Sequence, residues 1–296
     1  LVSWEGDTIT AVEPIDSAPA RTLVPGFVDL QVNGIDDIDV ARADGSDWER
    51  LDTLLLAQGV TTWCPTLVTA PLHTYAAPLQ RIQQAAERPG ARPHIAGAHL
   101  EGPFLGGAPG AHRPELIVPI DLDWLDALPA HVKVVTLGPE QPLALDAIRL
   151  LARRGCLVAL GHTTADEGQF DAAVAAGARL VTHLFNGMSG IHHRSPGVAA
   201  FALTNDAVAA SLIADGVHVH PRVLRIAFTA LGHDRSVLVT DAVGWRAGTA
   251  GPREAAGSAL PCRQVSEHFG PLGAGDGPDD GEGHRATPRR LVMLAP

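Results

Sequence analysis

The feature that most limits what this 296-residue chain can become is an alternation repeated eight times. A short apolar run closes on a polar residue, and a stretch of helical period and a Gly or Pro break follow. The runs cover 26–31, 61–66, 94–101, 132–138, 157–162, 180–183, 210–215 and 237–241. Between them the spacing predicts helices over 46–58, 72–87, 122–128, 142–154, 165–176 and 221–231. Parallel strands need a crossover to bring the chain back to the same edge, and a helix is the usual crossover. Eight such units suit either a closed (β/α)8 barrel, which takes roughly 250 residues, or an open doubly wound sheet.

The residues that end the runs decide between these. Gln31, Glu101, His162, His183, Asp215 and Asp241 each close a different run. In an open sheet such ends lie along a line, too far apart to meet. In a closed barrel they gather at one rim, where barrel enzymes hold their chemistry. The expected fold class is therefore α/β, a (β/α)8 barrel over 23–243. The remaining 244–296 differ in kind: from Trp245 onward, 52 residues hold 9 Gly and 6 Pro, with no clear period before Leu291. That segment is expected to be disordered or translated out of frame.

Composition excludes several roles. A formal net charge of -11 is unsuited to nucleic acid, whose phosphates demand a basic surface, so any phosphate site must be local. Cys64, Cys156 and Cys262 are scattered, odd in number and without a CxxC pair, which suits reduced thiols in the cytoplasm. No apolar run approaches the roughly 18 residues of a membrane span, and residues 1–6 carry no leader pattern. A soluble, cytoplasmic protein is expected. Its natural amino terminus is expected upstream of Leu1, which reads as mid-strand.

One acid and two imidazoles, Glu101, His162 and His183, end the third, fifth and sixth runs. Three ligands of this type leave a coordination position open, as catalytic divalent metals require. Asp241 ends the eighth run and can exchange a proton with an activated water. His112 follows the glycine-rich 106–111 segment and can polarise a carbonyl. Asn186 and Gly187 offer an amide and a backbone N–H to phosphate, and Arg194 a guanidinium, in the most basic loop near the expected site. His218 and His220 form an H-x-H, but beyond the strand end, so a second metal there is not expected.

These residues fall in segments that resemble N-acetylglucosamine-6-phosphate deacetylases of the amidohydrolase superfamily. The segments are PGFVDLQVNG from Pro25, HLEGPF from His99, GHT from Gly161, THLFNGM from Thr182, DGVH from Asp215 and VTDA from Val239. The resemblance runs from about Leu23 to Val243. It implies hydrolysis of the acetamide of N-acetylglucosamine 6-phosphate, with Glu101, His162 and His183 as metal ligands and Asp241 as general acid and base. It further implies that His112 polarises the carbonyl, that Asn186 and Gly187 hold the phosphorylated sugar, and that His218 and Arg194 are supplied across a homodimer interface. Many amidohydrolases open with H-x-H and hold two metals. Here Gln31 and Asn33 stand at those positions, and neutral amides are poor divalent ligands. One divalent metal per subunit is expected, zinc first and iron second. The family closes with a further helix and a small β-sandwich that includes the amino-terminal segment, so residues 1–22 are expected to be a remnant of that domain. The alternatives are an inactive truncated chain that binds sugar phosphate, and action on another acetamido sugar or a cyclic amide.

Overall fold

A computed structural model describes residues 2–6, 8–14 and 24–244. The expectations for 245–296, for Cys262 and for part of 1–22 lie outside the described residues. The chain opens with an antiparallel hairpin, β1 (Val2–Glu5) and β2 (Thr8–Val12), in register Val2 to Val12. Then come β3 (Phe27–Val32), a small β4 (Gly34–Ile35) and β5 (Ile38–Asp39) ribbon, α1 (Asp47–Ala57), β6 (Val60–Val68), α2 (Ala76–Ala86), β7 (His94–Ile95) and β8 (Ala98–Glu101). They are followed by α3 (Leu122–Asp126), β9 (Val132–Leu137), α4 (Ala144–Arg153), β10 (Leu157–Leu160), α5 (Glu167–Ala176) and β11 (Leu180–Val181). The last described elements are α6 (Val198–Thr204), β12 (Ala209–Ile213), α7 (Pro221–Leu231) and β13 (Ser236–Val239).

Eight strands pair in parallel in the order β3, β6, β8, β9, β10, β11, β12, β13. The last returns to the first. Val32 bridges Ala242, the Asp241 amide donates to Gln31 O at 3.0 Å, and the Asn33 amide donates to Ala242 O at 2.8 Å. Closure removes the sheet's free edges, as the run-end residues required.

Two apolar layers hold the barrel. Cys64, Val134, Ala159 and Leu180 form one cluster, with Leu30, Leu157, Ala209 and Val237 against it. These come from seven of the eight strands, so this cluster fills the barrel's interior. A larger cluster, including Leu100, Leu137, Ile148, Leu151, Leu160, Phe170 and Ala227, lies between strands and helices. Helix ends follow local chemistry. Asp166 and Gln169 make a reciprocal capping box for α5, and Asp121 accepts from the Trp124 amide at the start of α3. His220 accepts from the Arg222 amide ahead of Pro221, so the second imidazole of the H-x-H caps α7.

The sequence misses α6. Its seven residues span under two turns, and Val198, Ala199, Phe201, Ala202 and Leu203 are all buried, which leaves no polar face to reveal a helical period.

Candidate metal centre

Strands β10, β11 and β13 end two residues before His162, His183 and Asp241. Each of these three adopts a left-handed backbone, with φ of 50°, 30° and 49°. That conformation is costly for a residue with a Cβ, and costly conformations of this kind gather at functional sites. Glu101 needs no such turn, because it is the last residue of β8, two positions after buried His99.

The four residues converge in a buried cleft. Glu101 Oε1 lies 3.1 Å from His162 Nε2 and 2.8 Å from His183 Nε2, and the two Nε2 atoms are 3.0 Å apart. Ligand atoms around a tetrahedral zinc sit ~3.4 Å apart for bonds near 2.1 Å, so these separations fit one ion with modest expansion. Glu101, His162 and His183 are the group of donors that can hold a metal among the described residues. The fit is chemical as well as metrical. Two imidazole nitrogens and a carboxylate oxygen meet with few protons to share, an arrangement that a divalent cation satisfies.

Electrostatics sharpen the roles. Burial works to raise the Glu101 carboxyl, but hydrogen bonds with His162 and His183 win and hold it well below the usual range. Against burial, the hydrogen bond and charge of Glu101 raise the His183 imidazole to about 9. Burial, reinforced by the charge of Glu101, pushes the Asp241 carboxyl up to about 7. Asp241 Oδ1 accepts from Asn33 Nδ2 at 2.7 Å and from Gln31 Nε2 at 3.1 Å. A carboxyl titrating near neutrality inside a cleft has the properties of a proton-transfer group.

His112 joins the cluster. Its Nε2 is 3.1 Å from His162 Nε2 and 3.7 Å from Glu101 Oε2, and burial lowers the imidazole to about 4, so it is neutral at pH 7. Asn186 and Gly187 lie in the turn after His183. The Asn186 side-chain amide donates to His183 O at 3.1 Å, and Gly187 holds φ 56° where a Cβ would come within 2.7 Å of His162 Nδ1. His218 is exposed and pairs with Asp215 Oδ2 at 2.7 Å. Asp215, expected at the rim with the others, instead caps its own turn by accepting from the Val217 and His218 amides. Arg194 is not brought to the cluster within this chain. It is exposed and forms no ion pair among the described residues.

Beneath the site lies a polar layer that sequence reasoning missed. Gln31 is expected at the rim, but there only as a poor metal ligand. It is an organiser: its Nε2 also donates to Glu101 Oε1 at 2.8 Å, while its Oε1 accepts from the Thr182 hydroxyl at 2.7 Å. His99 bridges Thr136 Oγ1 at 2.8 Å and Leu30 O at 3.0 Å. Ser211 accepts from the His183 amide at 2.7 Å. Asp29 accepts from the Thr240 hydroxyl at 2.6 Å and from the Gln31 amide at 3.1 Å, tying the first barrel strand to the last just below Asp241. The available signal was a polar residue two positions before a site residue on the same strand, as in His99 before Glu101 and Asp29 before Gln31.

No protein-family model matches the chain. Curated relatives do. It is 40% identical over 244 residues to an N-acetylgalactosamine-6-phosphate deacetylase of Escherichia coli O157:H7, covering 79% of this chain and 64% of the relative. It is 41% identical over 239 residues to the N-acetylglucosamine-6-phosphate deacetylase of Bos taurus, covering 75% and 57%. Among solved structures, the N-acetyl-D-glucosamine-6-phosphate deacetylase of Mycobacterium smegmatis superposes with a TM-score of 0.74 at 34% identity, covering 82% of this chain and 66% of that one. A mutant of that enzyme, in complex with N-acetyl-D-glucosamine-6-phosphate, gives 0.71 at 35%, covering 80% and 64%. The chain thus spans roughly three-fifths of the length of the curated relatives it matches. By sequence and by barrel architecture, it is a homologue of the N-acetylglucosamine-6-phosphate deacetylases, amidohydrolases of amino sugar phosphates.

Proposed function

We propose that this protein hydrolyses the acetamide of N-acetylglucosamine 6-phosphate, giving glucosamine 6-phosphate and acetate. The observation that carries the reading is the convergence of Glu101, His162 and His183 with Asp241 and neutral His112 in one buried cleft. Glu101, His162 and His183 would hold one divalent cation, zinc before iron. When bound, it supplies Lewis acidity to a water and to the acetyl oxygen. Asp241 takes the proton from the attacking water as a carbon–oxygen bond forms at the acetyl carbon. The same carboxyl then delivers that proton to the nitrogen as the carbon–nitrogen bond breaks, so acetate and the free amine leave in balance. His112 hydrogen-bonds the developing oxyanion. Gln31 and Asn33 keep Asp241 aimed at the cleft through its Oδ1.

Asn186 and Gly187 are the proposed contacts for the phosphorylated sugar, joined by His218 and Arg194. Phosphate contacts remote from the reacting carbon use binding energy to position the acetamide. Arg194, exposed and without an ion pair among the described residues, is proposed to serve the neighbouring subunit of a homodimer in the cytoplasm. No described helix is long and apolar enough to cross a membrane.

One other reading has specific support. The Escherichia coli relative is named for the galactosamine epimer, so that sugar is the second candidate substrate. Acetate release from zinc-loaded protein, compared across both epimers and unphosphorylated N-acetylglucosamine, separates them. Fastest turnover of N-acetylglucosamine 6-phosphate is expected. Preference for the galactosamine epimer would move the assignment to that sugar, and binding without turnover would contradict the hydrolytic reading.

A further inference from the structure

The segment 105–112 carries His112 to the site, and one carboxylate outside the metal cluster holds it there. Glu140 stands just after β9. Its Oε1 accepts from the Gly107 and Thr164 amides, both at 2.8 Å, and its Oε2 accepts from the Thr163 hydroxyl. It therefore ties the glycine-rich loop to the two residues that follow His162. No Lys or Arg pairs with it among the described residues, so its charge is met by N–H and O–H donors alone.

The clamp acts on His162 from both sides. Gly106 N and Ala108 N donate to His162 O at 2.9 and 3.3 Å, while Ala108 O faces His162 Nδ1 at 3.3 Å. A proton on Nδ1, shared with that carbonyl, leaves the Nε2 lone pair directed at Glu101 and His183, as a metal-ligating imidazole requires. The same loop turns at Pro109, whose carbonyl accepts from His112 N at 3.0 Å, and sets His112 Nε2 3.1 Å from His162 Nε2. Space at the clamp is tight, since a Cβ on Gly106 would lie 2.0 Å from Glu140 Oε1.

We propose that Glu140 is a positioning residue, which sets cation affinity and rate by fixing the ring of His162 and the approach of His112, without touching cation or substrate. The proposal rests on reading the cluster as a metal-dependent hydrolytic site. Partners of this kind around a metal-ligating residue typically matter by 10–100-fold in affinity or activity.

The test compares Glu140→Ala, Glu140→Gln, Gly106→Ala and the Gly106→Ala/Glu140→Ala pair. It reads zinc affinity by chelator competition, kcat and KM by acetate release, and the melting temperature of the metal-free protein. Glu140→Ala is expected to weaken zinc binding and kcat by about 10–100-fold, with KM within about two-fold of the parent. Glu140→Gln, which keeps one carbonyl acceptor, recovers most of the loss. Gly106→Ala, which displaces the carboxylate, reproduces it, and the pair adds little to either single change because both act on one contact. Parental zinc affinity in Glu140→Ala and Gly106→Ala overturns the proposal. So does a loss that is equal in the Ala and Gln variants and tracks a lowered melting temperature, which would mark Glu140 as merely structural. Zinc affinity does not depend on the substrate, so failure of the deacetylase reading leaves this arm decisive.

Discussion

The two ends of the barrel interior are built from opposite materials. Deep inside, Cys64, Val134, Ala159 and Leu180 meet as an apolar plug drawn from ordinary strand positions. At the rim, buried His162 and His183 and half-buried Asp241 sit at positive φ around buried Glu101. The first arrangement is favourable in itself, through apolar burial. The second costs backbone strain and desolvation, and persists only because the surroundings over-determine it. The layer between them, Gln31, His99, Thr182, Ser211 and Asp29, transmits the order of the closed sheet to the rim one hydrogen bond at a time. Separation of this kind lets the rim carry chemistry without carrying the fold.

That separation is breakable at either end. Asp241→Asn should cut kcat by about 10²–10⁴-fold, the usual worth of a proton-transfer group, while the metal-free protein melts no lower than the parent, because a poorly solvated carboxyl is gone. Acetate release and calorimetry read both, and a large drop in melting temperature would show that the rim also supports the fold. Leu180→Ala should do the reverse. Truncation in the plug is expected to cost about 2–5 kcal/mol of stability by urea denaturation, with kcat per folded molecule unchanged. A comparable loss of kcat would mean that the two ends are coupled.

A smaller effect probes the layer between. Burial lifts the Asp29 carboxyl to about 6, against hydrogen bonds from Thr240 and Gln31 that lower it. A carboxyl raised in the native state binds its proton more tightly there than in the unfolded chain. Its stabilising contribution is therefore complete below the unfolded value near 4 and is lost as pH rises through about 6. The difference in urea midpoint between the metal-free parent and Asp29→Asn, followed from pH 4 to 7, should shift against the parent as pH rises, and a difference that stays constant would contradict the assignment. Least of all, Trp4→Ser on the amino-terminal hairpin should change stability by no more than about 0.5 kcal/mol, since Trp4 is 66% exposed. A larger loss would show that the hairpin packs on something.

The sequence carried the fold further than it carried the site. Eight runs and their polar closing residues were enough for the barrel, because a parallel strand buried on both faces is an apolar run and its carboxyl end is where polarity begins. Boundaries slipped at His162, His183 and Asp241, where the strand stops two residues early so that a left-handed turn can swing the side chain into the cleft. Nothing in a His or Asp announces φ. The run at 94–101 divides into β7 and β8 around Gly97, which holds φ 151°. The three donors that meet at the rim, Glu101, His162 and His183, were legible by type and position, whereas the contacts of Gln31 and Glu140 were not. Their work is done through partners 70 and 33 residues away in sequence, Glu101 and Gly107, and only the closed barrel brings those together. Asp215 shows the converse, a polar run end whose hydrogen bonds are spent on its own turn.

The central claim, that Glu101, His162 and His183 form one cation site on which hydrolysis depends, is tested most directly by adding zinc back to chelator-treated protein during acetate release from N-acetylglucosamine 6-phosphate. Activity that is absent without metal and saturates at one equivalent per chain is the predicted result. Full activity in the chelated protein, or saturation only at two equivalents, would contradict it.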